Sequence, residues 1–328
     1  ARLKIISGMD ISEKRKPQDG RTTMDIDHVE YDVRVSSIPT VYGEKIVMRL
    51  TNKEKLTRDK RELGLSDDDM KRFDQMLAHP HGIILVTGPT GSGKSTTLYT
   101  ALSELNRETV NIVTVEDPVE ANIDGVNQIQ VNPKADMTFA SALRSILRQD
   151  PDIIMIGEIR DPETAEIAVQ ASITGHLVAS TLHTNSTSAS IARLLNMGIE
   201  PYLMADALVG VVAQRLVRKL CRCKRGREAT AQEKEELGVN QDEVLTIYEP
   251  AGCQLCSQTG YFGRTAVYEM MPVTPELRWA ITKMQPSSKV KEIAQREGMI
   301  TLRGSAVRLV REGVTSLEEM KKIASEED

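Results

Sequence analysis

The stretch Gly88-Pro89-Thr90-Gly91-Ser92-Gly93-Lys94-Ser95 constrains this chain more than any other. It follows an apolar run, Ile83-Ile84-Leu85-Val86-Thr87, and leads into Thr96-Thr97-Leu98-Tyr99-Thr100-Ala101-Leu102. That order predicts a buried strand, a glycine-rich turn and a helix, with G-x-x-x-x-G-K-S spacing at the turn. Glycines at such a turn admit positive φ and close backbone approach, so successive N–H groups can wrap a phosphate. The helix adds its unpaired N–H groups and the positive end of its dipole. Lys94 supplies a point charge for the β- and γ-phosphates, and the Ser95 hydroxyl can join the shell of a Mg²⁺ ion. A plain glycine-rich turn is the alternative, and the flanking strand and helix argue against it. Residues Gly88 to Thr96 are therefore expected to cradle a nucleoside triphosphate.

With 328 residues, two domains are the natural expectation. Aromatics make up only 3%, so the core must come from Ile, Leu, Val, Ala and Met. A formal net charge of −5 argues against a whole-surface nucleic-acid binder. No apolar run approaches the roughly 20 residues of a membrane span, and no signal peptide opens the chain. Together with the NTPase motif, this suggests a cytoplasmic setting.

Alternation in His28–Val35 and again in Glu44–Leu50 predicts strands with one buried face. Residues 1–53 then form part of a small β-rich domain, 54–65 a charged linker, and 66–328 the NTPase domain. Ser66 is a good N-cap, followed by three aspartates suited to a first helical turn. From Gly82 to about Gln214, β and α patterns alternate, which implies a parallel sheet covered by helices. Strands are predicted at 83–87, 111–115, 153–156 and 177–182, and helices at 94–105, 138–149 and 162–174. The last helix has Asp161 as N-cap, Pro162 in its first turn and Gly175 just past its end. A charged, loop-rich insert runs from Cys221 to Gly263, and the tail over 265–328 is expected to be mostly helical.

Two acidic spots follow predicted strands. Glu158 comes after Ile153–Ile156, with Gly157 where a Walker B strand usually has Asp. It positions Mg²⁺ or its waters, activates the attacking water, or does both; a surface Glu after a strand is the alternative, against which the apolar run 153–156 argues. Glu116 and Asp117 end the strand before Pro118, at the carboxyl edge where open α/β sheets bind ligands. A carboxylate there could orient water for attack on the γ-phosphate, or the segment could be a solvated turn. His176 and His183 bracket the strand 177–182, as structural residues or as a γ-phosphate sensor. Arg144 and Arg148 share a face of the helix predicted at 138–149. They are ion-pair partners, or arginine fingers for a neighbouring subunit. Cys221-Arg222-Cys223 and Cys253-Gln254-Leu255-Cys256 offer four thiolates for a structural Zn²⁺, or remain free thiols. The C-x-C pair is one residue shorter than the usual C-x-x-C.

Together these segments resemble the secretion ATPase superfamily, specifically the type II secretion and type IV pilus assembly ATPases. The likeness covers nearly the whole chain. It includes Gly8-Met9-Asp10-Ile11, the phosphate loop, Glu116–Glu120 as an aspartate box, and Gly157–Asp161 as Walker B. Thr174–Thr184 forms a histidine box, and Gly313–Glu319 lies near the end.

The resemblance implies a RecA-like P-loop NTPase domain with a small N-terminal α+β, PAS-like domain, a tetracysteine insert and a helical tail. It implies a homohexamer hydrolysing ATP with Mg²⁺ at subunit interfaces beneath the inner membrane, working on platform and docking proteins. By motif position, Lys94 and Ser95 bind ATP and Mg²⁺. Glu116 is the general base, Glu158 the Walker B acid and His183 the phosphate sensor. Arg21, Arg34, Arg144, Arg148 and Arg264 approach nucleotide. Family members carry further sequence before the first residues here, so the chain reads as starting partway through the pattern. A slow nucleotide switch and a RecA-like nucleic-acid translocase are the competing functions. The acidic balance and scarce aromatics count against the latter.

Overall fold

The computed structural model describes residues 1–52 and 58–325. The chain opens with α1 (Arg2–Ile6) and an antiparallel meander of β1 (Gln18–Ile26), β2 (Val29–Thr40) and β3 (Gly43–Asn52). Val33 and Val35 of β2 pack under Met9, which gives this unit a small core. The predicted strands at 28–35 and 44–50 are present, and each runs longer than its apolar alternation. The missed strand is β1, whose sequence QDGRTTMDI is mostly polar and exposed; it exists through its ladder to β2. Residues 54–57 of the expected linker lie outside the described residues, while Lys60–Leu63 form a short 3₁₀ turn capped by Asp59.

α2 (Asp67–Leu77) starts where expected, with the Ser66 hydroxyl accepting from the Asp69 N–H. The main unit then alternates β4 (Gly82–Thr87), α3 (Lys94–Leu105), β5 (Ile112–Glu116) and β6 (Asn127–Gln130). It continues through α4 (Phe139–Ile146), β7 (Ile153–Ile156), α5 (Pro162–Ile173) and β8 (Leu177–Leu182). α6 (Thr187–Asn196) and α7 (Pro201–Ala207) lead into the long strand β9 (Leu208–Leu220). β4, β5 and β7 are buried along their whole length, and β8 everywhere but half-buried Ala179, as parallel strands covered on both faces must be. Helix 138–149 is shorter than predicted: it ends at Ile146, and Asn111 takes the carbonyls of Gln149 and Asp150 instead.

The insert contains β10 (Arg225–Glu228), α8 (Ala231–Glu236) and β11 (Thr246–Glu249). β12 (Tyr261–Pro272) then returns to the main sheet, so residues 265–272 of the tail expected to be helical are strand. Helices follow from there: α9 (Pro275–Thr282), α10 (Ser287–Arg296), α11 (Leu302–Arg311) and α12 (Leu317–Ala324). The seven-stranded sheet runs β12-β9-β4-β8-β7-β5-β6, parallel except for the β12–β9 pair. Alternate side chains feed two cores. Ile83, Leu85, Val113, Ile154 and Val178 meet α4, α5 and α6, while Ile84, Val86, Ile112 and Met155 meet α2 and α3. This sandwich fixes the carboxyl ends of β4, β5, β7 and β8 side by side.

Candidate functional site

Those four strand ends open onto a cavity of about 590 Å³ lined by Thr90, Gly91, Gly93, Lys94, Ser95, Thr96, Glu116, Glu158, His183, Arg34 and Arg264, among others. The phosphate loop forms one wall. Gly93 caps α3 in the left-handed region (φ 91°) with no side-chain cap, which leaves the helix's first N–H groups to the cavity. At Gly88 a Cβ would stand 2.4 Å from the Gln214 carbonyl oxygen, so β9 and the loop can meet only over a glycine. Lys94 Nζ donates to the carbonyls of Gly88 (2.7 Å) and Pro89 (3.0 Å). Burial, reinforced by nearby Arg215, lowers its proton affinity; Glu158 pulls the other way. Pro89 and Ser92 face a smaller cavity of about 230 Å³ behind the loop, toward Arg215 and Glu319.

Glu116, the last residue of β5, is 3% exposed and held by three donors. Its Oε1 accepts from the Tyr99 hydroxyl, and its Oε2 from Thr114 Oγ1 (2.8 Å) and Gln128 Nε2 (3.0 Å). Burial pushes its carboxyl above the ordinary range, against the pull of these donors. Glu158 behaves in the opposite sense. Burial pushes it up too, but Arg160 at 2.5 Å and His183 at 3.2 Å outweigh that and hold it below the ordinary range. Arg160 also reaches Asp117 (3.5 Å), so Asp117 is an ion-pair partner at the cavity rim. A Cβ on Gly157 would meet Glu116 Cα at 3.3 Å and Val115 O at 3.4 Å. A side chain at this position would thus press on the backbone of Glu116 at the end of β5.

His183 follows β8, and Thr184 beside it is tied to Thr87, the residue before the phosphate loop, through N–H···Oγ1 (2.9 Å). His176, at the other end of β8, bonds the Ala171 carbonyl and lies away from the cavity. Arg21 and Arg34 are cross-strand neighbours on the N-terminal sheet, with buried Asp32 between them. Arg21 also donates to the Val119 carbonyl (3.0 Å) and Arg34 reaches Glu120 (3.7 Å), which brings this sheet to the aspartate-box loop. Among the described residues, Arg34 Nε is buried with no hydrogen-bond partner. Arg144 and Arg148 do not line the cavity: Arg144 pairs with Glu163 of α5, and Arg148 donates to the Arg144 carbonyl (2.8 Å).

The four cysteine sulfurs lie within 4.8 Å of one another. Neighbouring Sγ pairs stand at 3.7, 3.9 and 3.7 Å, far beyond a disulfide and close to the ~3.8 Å edge of a tetrahedron with ~2.3 Å metal–sulfur bonds. Cys256 Sγ also accepts N–H groups from Cys253 (3.1 Å) and Gly260 (3.2 Å), which favours a thiolate. The donor set fits a four-coordinate soft cation, and the shorter C-x-C spacing does not prevent it.

Residues 1–322 match the family described as "Type II/IV secretion system protein". The chain belongs to that family. The type II secretion system ATPase E of Vibrio cholerae is 49% identical over 99% of this chain and 65% of its own length. The type IV pilus assembly ATPase PilB of Myxococcus xanthus is 50% identical over 98% of this chain and 57% of its own. The chain thus spans about two-thirds or less of the type II/IV secretion relatives it matches. A pilus retraction motor, PilT with bound ADP, shares the fold with TM-score 0.68 at 27% identity, covering 93% of this chain and 77% of that one. The ATPase DotB of Legionella pneumophila shares it at TM-score 0.70 and 22% identity, over 94% and 78%. Among the described residues, no helix is long and apolar enough to cross a membrane.

The holders of Glu116 escaped sequence reading. Tyr99 is 1% exposed, and a buried phenol needs a polar partner; its place one turn beyond Ser95 was the available signal.

Proposed function

We infer that this chain hydrolyses MgATP as the motor of a type IV pilus or type II secretion pseudopilus assembly machine. It would act as a homohexamer at the cytoplasmic face of the inner membrane, moving platform and docking proteins. The observation that carries the reading is Glu116 beside the phosphate loop, in one cavity with Glu158. A carboxylate offers about four lone-pair sites, and three on Glu116 are filled. The remaining one, on Oε1, can take the proton of a water attacking the γ-phosphorus as ADP leaves. Glu158, kept ionised, suits the shell of Mg²⁺ together with Ser95. His183, bonded to Glu158, would report loss of the phosphate. Lys94 would leave its loop carbonyls for the β/γ-phosphates, with Arg21, Arg34 and Arg264 as further anion partners. Cys221, Cys223, Cys253 and Cys256 would hold Zn²⁺, which with four protein ligands is structural. The names of the relatives above support both the ATPase activity and the choice of machine.

The test is steady-state ATP turnover with Mg²⁺ against protein concentration, beside a Lys94→Ala control. Specific activity should rise with concentration and vanish in the control. Concentration-independent turnover by a species that sizes as a monomer would overturn the shared-site reading, and absence of turnover would favour a nucleotide switch.

A further inference from the structure

Tyr99 sits on α3, five residues past Lys94, yet its hydroxyl lies in the site on the next structural layer. It donates to Glu116 Oε1, the same oxygen that keeps a free lone pair, and accepts from the Glu120 N–H at 3.1 Å. One phenol thus joins the phosphate helix, the acid of β5 and the loop leading to the N-terminal arginines. Gln128 does the matching work on Oε2: its Nε2 bridges Glu116 and the Ala121 carbonyl (2.9 Å), while its Oε1 accepts from Ile123 N–H (2.7 Å). Two donors anchored by further hydrogen bonds leave the carboxylate little freedom to rotate, so its open lone pair has one direction.

We propose that Tyr99 is a positioning residue for hydrolysis: it aims the Glu116 carboxylate at the water, with Gln128 as its counterpart. This rests on Glu116 being the base in the reading above. The charged and titratable groups that share this surrounding are Lys94 on α3, Asp117 and Glu120 on the same loop, Glu158 and Arg160 after β7, and His183 after β8. From the flanking elements, Arg34 and Arg264 also face it. Removing the phenol oxygen leaves the charges of all these groups in place but frees the Glu120 N–H; Gln128, which holds Glu116 without touching Glu120, therefore separates loss of the donor from movement of that loop.

The experiment measures kcat, KM for MgATP and the pH profile of kcat for Tyr99→Phe and Gln128→Met, with Glu116→Gln and the parent alongside. Each of the first two variants should lose about tenfold or more in kcat, with KM little changed. Their acid limbs should move to higher pH, because a donor favouring the carboxylate is gone. Nucleotide binding by a fluorescent ATP analogue confirms that each variant retains the folded site. Parent-like kcat and pH profile in Tyr99→Phe, with Glu116→Gln inactive, would overturn the positioning role alone. Parent-like turnover in Glu116→Gln would instead overturn the base assignment on which it rests. If Tyr99→Phe does not fold, Gln128→Met decides: an unmoved acid limb there overturns the paired-donor account.

Discussion

Glu116 at the end of β5 and Glu158 just past the neighbouring β7 have opposite electrostatic settings, and the difference has a consequence for stability. Glu116 is buried among neutral donors, so the folded chain binds its proton more readily than the unfolded chain does. Ionising it therefore opposes folding. The penalty is complete above the raised folded value and disappears as the pH falls below the ordinary carboxylate value. In Glu116→Gln the new amide can donate to the Tyr99 oxygen and accept from Thr114. That variant should melt at or above the parent near about pH 8, with the margin shrinking toward about pH 5, while kcat falls by about 10²–10⁴. Thermal melts across that range are the check. A margin that widened on acidification would mean that the carboxyl is held ionised.

At the scale of elements, the packing of β5 against β7 brings the backbone of Glu116 close to position 157. Gly→Ala at a permissive site stabilises by about 0.4–1 kcal/mol through the unfolded chain, whereas overpacking costs about 1–3 kcal/mol. Only Glu116 Cα, at 3.3 Å from the added carbon, is tighter than ordinary contact, while Val115 O (3.4 Å) and Phe139 Cε1 (3.5 Å) are at van der Waals distance, so the two effects should nearly cancel. Gly157→Ala is expected to stay within about 1 kcal/mol of the parent in denaturant melts and to lower kcat by pressing on the backbone of Glu116. A stabilised variant with unchanged turnover would show that β5 yields freely. The same elements indicate what sequence could reveal. β4, β5, β7 and β8 are short apolar runs bounded by turns, so their limits were legible to within a residue or so. β9 was not, since it follows α7 without a turn and its sequence LVGVVAQRLVRKL carries no period. β12 has the same burial on the core side, and its partner lies some fifty residues back, a pairing that local pattern cannot express. At the site, Lys94, Glu116, Glu158 and His183 were legible because chemistry restricts their residue types. Tyr99, Thr114 and Gln128 were not, because any buried donor of the right reach could hold a carboxylate.

For the whole molecule, the placement of the arginines is the informative fact. Arg21, Arg34 and Arg264 approach the chain's own cavity or its acidic loop, whereas Arg144 and Arg148 are exposed on and beyond α4 and outside it. Exposed arginines at ordinary surface positions contribute little to stability, so replacing Arg148 should leave the melt within about 0.5 kcal/mol. If Arg148 serves a neighbouring copy in a head-to-tail ring, the same change should still remove most turnover. Complementation separates this from a defect inside one subunit. Arg148→Ala retains its phosphate loop and Lys94→Ala retains its arginine, so an interface formed by the first on the nucleotide side and the second on the arginine side is intact. Random mixing of the two inactive proteins makes about a quarter of such interfaces competent. Turnover in the mixture should therefore recover toward about that fraction of the parent, while each variant alone stays near the background. A mixture as inactive as its components would place both residues in the service of the same subunit, and a head-to-tail shared site would have to be abandoned.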